Sequence, residues 1–313
     1  MAFVPHAPCE KDPNMKPVHI LSDLAQAAVG PKPARLAVLG YPVAHSASPQ
    51  LHQPALDAFQ IDATYVRLEV APGSLSEAFD LMRDLGFIGC NITVPHKFEA
   101  MACCTDVSPQ AELLGAVNTV VFSEKGTFGH NTDGPGFIAA IEEAFAIQIS
   151  QAHTLILGAG GGAGQAIATQ CCLQKPARLT LVNRSLDKIE ALADRLKILS
   201  PATEIRTLTL TDPELKHFCH EADLLVQTSS LGLKADDAKV IPDDCFLTRH
   251  CAYDTIYKPA ETRFLGSARK VGCKTDNGLS LLIHQGALAF QHWFPGTDPL
   301  PYMRAAMRMS DPA

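Results

Sequence analysis

Thr154-Leu155-Ile156-Leu157-Gly158-Ala159-Gly160-Gly161-Gly162-Ala163-Gly164 decides the fold of this chain. Four apolar residues rich in β-formers read as a buried strand, and the glycines that follow break it into a tight turn. Gln165-Ala-Ile-Ala-Thr-Gln-Cys-Cys-Leu173 then reads as a helix, and Ala177-Arg-Leu-Thr-Leu-Val-Asn183 as a second buried strand. Strand, glycine turn, helix and strand make the first unit of a dinucleotide-binding Rossmann fold, whose helix N-terminus offers backbone N–H groups to a pyrophosphate. The register that fits G-x-G-x-x-[G/A] uses Gly158 for the turn, Gly160 for close phosphate approach and Ala163 as the small residue packing helix on strand. Starting at Gly160 would place Gln165 in the small position. The loop as a whole, Gly158, Ala159, Gly160, Gly161, Gly162 and Ala163, is the expected phosphate cradle.

The end of the second strand bears on the cofactor. An NAD site places Asp or Glu there for the ribose hydroxyls, whereas this chain has Asn183-Arg184-Ser185-Leu186-Asp187-Lys188. Arg184 and Lys188 suit a ribose 2′-phosphate, with Ser185 as a hydroxyl donor, and this favours NADP. In the competing structural reading Ser185 caps a helix over Leu186–Leu199 and both cations are solvated. Asp187 leaves room for an unphosphorylated ribose.

Working outward, about 150 residues precede the strand, enough for a second domain. The 313 residues carry a formal charge of −7, with 47% hydrophobic and 19% charged residues. These are globular values, and the negative balance argues against a nucleic-acid or anionic-membrane partner. No run of 18 apolar residues occurs, and the first residues lack a secretory core. Ten cysteines include Cys103-Cys104 and Cys171-Cys172 without a C-x-x-C pair, which reads as reduced thiols.

The pattern alternates strand and helix. Residues 1–33 read as a loosely ordered extension. Strands are expected at Arg35–Leu39, Ala63–Val70, Phe87–Thr93 and Ala116–Phe122, and helices at Ser48–Phe59, Ser74–Leu85 and Pro135–Phe145. Ser48 is the expected N-cap of its helix, before Pro49. Further strands are expected at Glu204–Leu210, Asp223–Thr228 and Ala252–Ile256. A last helix over Leu279–Phe294 is expected to return to the first domain. The fold class is therefore α/β in two domains: 34–134 plus 278–313 for substrate, and 135–277 as the Rossmann domain.

The loops after the first-domain strands concentrate polar groups. Ser46 and Ser48 share one turn. Asn91, Thr93 and Lys97 lie at the end of the third strand, Asn118 follows Gly115-Ala-Val, and Asp133 closes Asn131-Thr132-Asp133-Gly134. One lysine, one aspartate and many neutral hydrogen-bonding groups suit a polyhydroxylated anionic small molecule better than a metal. Taken singly, Lys97 reads as a surface lysine and Asp133 as the N-cap of the helix at Pro135. His217-Phe-Cys219-His220 resembles a ligand cluster but lacks a second pair. His45, His96, His130 and His284 adjoin the motifs, and a histidine acid–base is the competing mechanism.

From about residue 35 to 294 these segments, in this order, resemble the shikimate dehydrogenase family. The resemblance rests on His45-Ser-Ala-Ser-Pro49, Asn91-Ile-Thr-Val-Pro-His-Lys97, Gly115-Ala-Val-Asn-Thr119 and Asn131-Thr-Asp-Gly134. It continues through the glycine loop, Asn183-Arg-Ser185, Tyr253-Asp-Thr-Ile-Tyr-Lys-Pro259 and Gly278-Leu-Ser-Leu-Leu-Ile-His-Gln285. It implies reversible NADPH-dependent reduction of 3-dehydroshikimate to shikimate, a cytoplasmic step toward chorismate and the aromatic amino acids. By resemblance Lys97 and Asp133 are the catalytic pair, and Ser46 and Ser48 hold the substrate carboxylate. Asn91, Thr93, Asn118 and Gln285 bind ring hydroxyls, while Tyr257 and Gly278 lie near nicotinamide and substrate. A monomer or homodimer is expected, without metal. The glycine loop reads as one residue longer than the family's usual form, and Gln227-Thr-Ser-Ser-Leu-Gly-Leu233 departs from its N-x-T-x-x-G-M. A dual quinate/shikimate dehydrogenase using NAD or NADP is the enzymatic alternative. A non-catalytic sensor binding the same ligands is the alternative of another class.

Overall fold

The computed structural model describes residues 18–234 and 236–309. After a short helix α1 (Leu24–Ala27), the chain builds β1 (Ala34–Gly40), α2 (Ser48–Ala58), β2 (Thr64–Glu69), α3 (Leu75–Asp84) and β3 (Gly89–Ile92). Next come α4 (Glu99–Cys103), β4 (Asp106–Val107), α5 (Pro109–Leu114), β5 (Thr119–Ser123), β6 (Gly126–His130) and α6 (Asp133–Phe145). The glycine stretch joins β7 (Thr154–Leu157) to α7 (Gly162–Leu173), followed by β8 (Arg178–Asn183), α8 (Leu186–Leu199), β9 (Glu204–Thr209) and α9 (Leu215–Glu221). The remainder is β10 (Leu224–Gln227), β11 (Cys251–Asp254), α10 (Arg263–Val271), β12 (Lys274–Asn277), α11 (Leu279–Trp293) and α12 (Leu300–Met309).

The strands form two six-stranded sheets. The second runs β12-β11-β10-β7-β8-β9 and is parallel throughout, the doubly wound Rossmann order with its switch point between β7 and β10. Both of its faces are covered, which is why its strands read as continuous apolar runs. Ile156, Leu181 and Val226 face α6, α7 and α8, while Leu155, Leu157 and Leu225 face α9 and α10.

The first sheet runs β2-β1-β3-β5-β6-β4 and is mixed. Here strict strand–helix alternation fails: β5 and β6 pair as an antiparallel hairpin, with Ser123 opposite Gly126. Gly126, at φ +132°, supports that tight reversal, a signal a Glu-Lys turn hides. The two faces of β1 alternate cleanly. Ala37 and Leu39 pack under α3, and Leu36 and Val38 pack against α2, α11 and α12. The lone tryptophan, Trp293, seals the second layer: its indole N–H donates to Val120 O at 3.0 Å, and it stands where Gly89 has no side chain.

Much of the expected extension, residues 1–17, lies outside the described residues. The rest of it is ordered. Leu24 is fully buried and His19 bridges Leu68 beside β2, because an edge strand otherwise leaves its backbone groups unpaired. The nine cysteines among the described residues are free thiols.

Candidate active site

The loops that hold the expected functional residues converge on one edge of the first sheet. β1 and β3 end there, β6 ends there, and the antiparallel β5 begins there. They face the C-terminal edge of the second sheet across a cavity of about 710 Å³. Ser46, Ser48, Asn91, Thr93, Lys97, Asn118, Asp133, Tyr257 and Gln285 all line it, together with Gly162, Ala163 and Gly278.

Lys97 lies in a clamped turn. His96 is buried, with Nε2 on Val70 O at 2.7 Å and Nδ1 on Glu99 at 3.0 Å, and the Lys97 carbonyl accepts from Val117 N. The ammonium donates to Asp133 Oδ2 at 2.6 Å, with side-chain exposures of 32% and 24%. Asp133 is the first residue of α6, not its N-cap; Thr132 holds that place. Its carboxylate therefore turns to the lysine, and the helix N-terminus adds favourable potential for the negative charge.

Buried amides make the floor. Asn91 Nδ2 donates to Asn118 O and Thr119 Oγ1, and Tyr65, fully buried behind it, donates its hydroxyl to Asn91 Oδ1 at 2.7 Å. Asn118 Oδ1 accepts from Thr132 N at 2.8 Å and Asn118 Nδ2 donates to Thr132 Oγ1 at 3.0 Å. A longer contact of 3.5 Å joins Asn118 Nδ2 to Gln285 Oε1. With every donor of Asn91 engaged, its remaining capacity toward the cavity is a carbonyl lone pair. Gln285 reaches the floor because α11 crosses α6 at Gly136, where a Cβ would stand 2.8 Å from the Gln285 backbone.

Ser48 also departs from the expected cap. The helix begins at Ser48 itself, after Ala47, so its hydroxyl is free of capping and lies 3.1 Å from the Ser46 hydroxyl. On the opposite wall, burial pushes the Tyr257 phenol up from its ordinary value, which keeps it a neutral donor. Its turn is anchored by Asp254, whose carboxylate accepts from Thr262 Oγ1 at 2.6 Å and Ile256 N at 3.0 Å. Gly278 passes that turn so closely that a Cβ would fall on the Thr255 carbonyl.

The glycine loop keeps its expected turn but not its expected packing residue. Gly158 sits at φ +82°, and Gly158 and Ala159 both donate to Val182 O, at 2.8 and 3.1 Å. Those two amides serve the turn, and the Ala159 side chain enters the core. The residue packed against the strand is Gly164, where a Cβ would lie 2.4 Å from Gly158 O and 2.7 Å from Ala159 Cα; Ala163 is exposed. With Gly161 as N-cap, the helix starts late enough to move the close contact one position along. Gly162 opens onto the cavity with nothing within 4 Å of a Cβ. The arrangement fits a pyrophosphate at the N-terminus of α7.

Asn183 and Ser185 lie beside this loop. Asn183 Nδ2 donates to Ser185 O at 2.9 Å, and its side chain touches the position a Gly160 Cβ would take. Ser185 is the N-cap residue of α8 but makes no side-chain capping bond. Arg184 and Lys188 are exposed, with no hydrogen-bond or ion-pair partner among the described residues. Lys188 and Gly160 border a second cavity of about 390 Å³.

Of the histidines among the described residues, only His45 lines the main cavity. His130 stacks on His292 at 3.9 Å, and His284 pairs with Glu143. His217 pairs with Glu221, His220 bonds Asp244 O and Cys219 is buried. Tyr65 and Thr119 escaped the sequence reading, since tyrosine and threonine on a strand signal β-propensity alone, and Thr132 did because the cap of α6 was expected at Asp133. No helix among the described residues is long and apolar enough to cross a membrane.

Residues 38–120 match the shikimate dehydrogenase substrate-binding domain. The NADP-dependent shikimate dehydrogenase of Symbiobacterium thermophilum is 40% identical over 87% of this chain and 92% of its own. A crystal structure of a shikimate dehydrogenase in complex with NADP+ has a TM-score of 0.83 at 31% identity, over 91% of this chain and 98% of its own. Quinate dehydrogenase from Corynebacterium glutamicum, in complex with NAD, has a TM-score of 0.78 at 29% identity, over 88% and 98%. The chain belongs to the shikimate dehydrogenase family.

Proposed function

We propose that the protein is a cytoplasmic NADP-dependent shikimate dehydrogenase that interconverts 3-dehydroshikimate and shikimate. The observation that carries this reading is the Lys97–Asp133 pair, 2.6 Å apart, opening into a cavity whose far wall is the N-terminus of α7. Residues 34–134 with 278–313 would hold substrate, and 135–277 the cofactor.

A nicotinamide bound along the second sheet would supply the hydride equivalent. The open cradle at Gly162 and the exposed Arg184 and Lys188, with the Ser185 hydroxyl, fit its pyrophosphate and 2′-phosphate. Carbonyl reduction leaves negative charge on oxygen, and the Lys97 ammonium stabilises and protonates it. Asp133 orients that ammonium and accepts from an adjacent substrate hydroxyl. Ser46 and Ser48 receive the carboxylate, while Asn91, Thr93, Asn118 and Gln285 meet ring hydroxyls and Tyr257 closes the other side. The enzyme would work as a monomer or homodimer.

Initial rates with shikimate and quinate, each against NADP and NAD, test this. Dominant turnover of shikimate with NADP is expected. Comparable quinate turnover with NAD would favour a dual quinate/shikimate dehydrogenase, a second reading supported by the likeness to the quinate enzyme. Ligand binding without turnover would favour a sensor.

A further inference from the structure

Tyr65, Arg67 and Glu69 alternate along β2 and so share one face of that edge strand. Each reaches a different part of the cavity wall. Tyr65 holds Asn91, and Glu69 Oε2 accepts from Val43 N at 3.4 Å. Arg67 makes the strongest link. Its Nε donates to Ser46 O at 2.9 Å, and its Nη2 donates to Gln50 Oε1 on α2, also at 2.9 Å.

The guanidinium therefore bridges the serine turn and the helix that Ser48 begins. The stretch between β1 and α2 has no regular backbone ladder; within it Ser46 N donates to Val43 O at 3.0 Å, and the guanidinium adds the tie that anchors the Ser46 carbonyl to β2 and α2. Two hydroxyls can grip one carboxylate only if both stand ready at once. Leaving one residue's backbone to be ordered on binding weakens association by about five- to thirtyfold. A lysine cannot substitute, because a single ammonium lacks the planar fork that serves two acceptors in fixed directions.

We infer that Arg67 is the positioning residue for substrate carboxylate recognition, acting through the Ser46 carbonyl and Gln50 rather than by touching substrate. The inference rests on the cavity being the shikimate site. It extends the binding machinery to a strand face whose side chains lie behind the serine turn.

The test is steady-state kinetics of R67A and R67K beside the unmodified protein, using shikimate and its decarboxylated analogue, a cyclohexenetriol. R67A should raise KM for shikimate about tenfold, leave KM for NADP within about twofold, and leave kcat/KM for the triol unchanged. R67K should recover only a minor part of the loss. An unchanged shikimate KM, an equal loss on the triol, or full recovery with lysine would overturn the inference. A merely structural role would lower both substrates together with the melting temperature. Absence of shikimate turnover by the unmodified protein would overturn the functional reading and this inference with it; normal turnover with an indifferent R67A would overturn the positioning role alone.

Discussion

One added carbon at Gly164 and one at Gly162, two residues apart on the same helix, should act in opposite directions. An alanine Cβ at Gly164 would sit 2.4 Å from Gly158 O, 2.7 Å from Ala159 Cα and 2.8 Å from Thr228 Oγ1. Two of those atoms are backbone, so relief requires α7 to lift from the turn after β7. Overpacking of this kind costs about 1–3 kcal/mol, which in a chain of this size lowers the melting temperature by about 1.5 to 5 °C. The lift also misplaces the helix N-terminus, so NADP affinity should fall. At Gly162 a Cβ meets nothing within 4 Å. Gly162→Ala should therefore stabilise the fold by about 0.4–1 kcal/mol, through the lower entropy of the unfolded chain. Its methyl projects into the proposed pyrophosphate cradle, so it should weaken NADP binding while raising the melting temperature. Differential scanning fluorimetry with and without NADP, and calorimetric NADP titration, read both effects. A Gly164→Ala variant that melts at or above the unmodified protein would refute the packing argument.

Three further outcomes follow from the site. Lys97→Met should lower kcat about 10²–10⁴-fold, with shikimate KM within a few-fold and folding stability changed by no more than about 1 kcal/mol, because the pair is partly exposed; near-normal turnover would exclude Lys97 as proton donor. Arg184→Ala should raise KM for NADP about tenfold or more and leave KM for NAD in place, since a charged hydrogen bond to phosphate is lost; equal effects on both would exclude phosphate recognition by Arg184. His52 is fully buried, stacked on Tyr65 at 4.5 Å, and burial lowers its pKa from 6.5 to about 3. Below pH 6.5 the unfolded chain takes up a proton that the folded chain refuses, so stability is lost progressively as pH falls toward 3, by up to about 1.4 kcal/mol per pH unit. Chemical denaturation of His52→Phe across that range should show a shallower acid loss than the unmodified protein, and parallel curves would refute the assignment.

The doubly wound sheet was legible because its strands are buried on both faces and punctuated by glycine, so that β7, α7 and β8 announce themselves within about thirty residues. The substrate side was legible only as motifs. Lys97 and Asp133 lie thirty-six residues apart in sequence and meet at 2.6 Å only through the edge shared by β3 and β6. The hairpin β5–β6 stayed hidden, since its turn residues are Glu124 and Lys125 and neither marks a reversal. The packing glycine was misplaced from Gly164 to Ala163 because a spacing rule does not say where the helix starts. Tyr65 and Arg67 were invisible as functional residues: a strand pattern shows which face a residue takes, not which loop it supports.

The layer that closes the first sheet has a consequence for synthesis. Leu36, Val38 and Leu51 are covered by Ile283, Phe290, Trp293 and Met303 from α11 and α12, more than two hundred residues further along. Between those two sets lie the residues of the entire second sheet. As the chain leaves the ribosome, the Rossmann half can complete its own core while the half begun earlier waits with one face bare. The part made first is thus finished last. Release of a nascent chain before residue 279 would expose that apolar face to aggregation or chaperone capture, whereas loss of the described residues before β1 would take only Val18 from it.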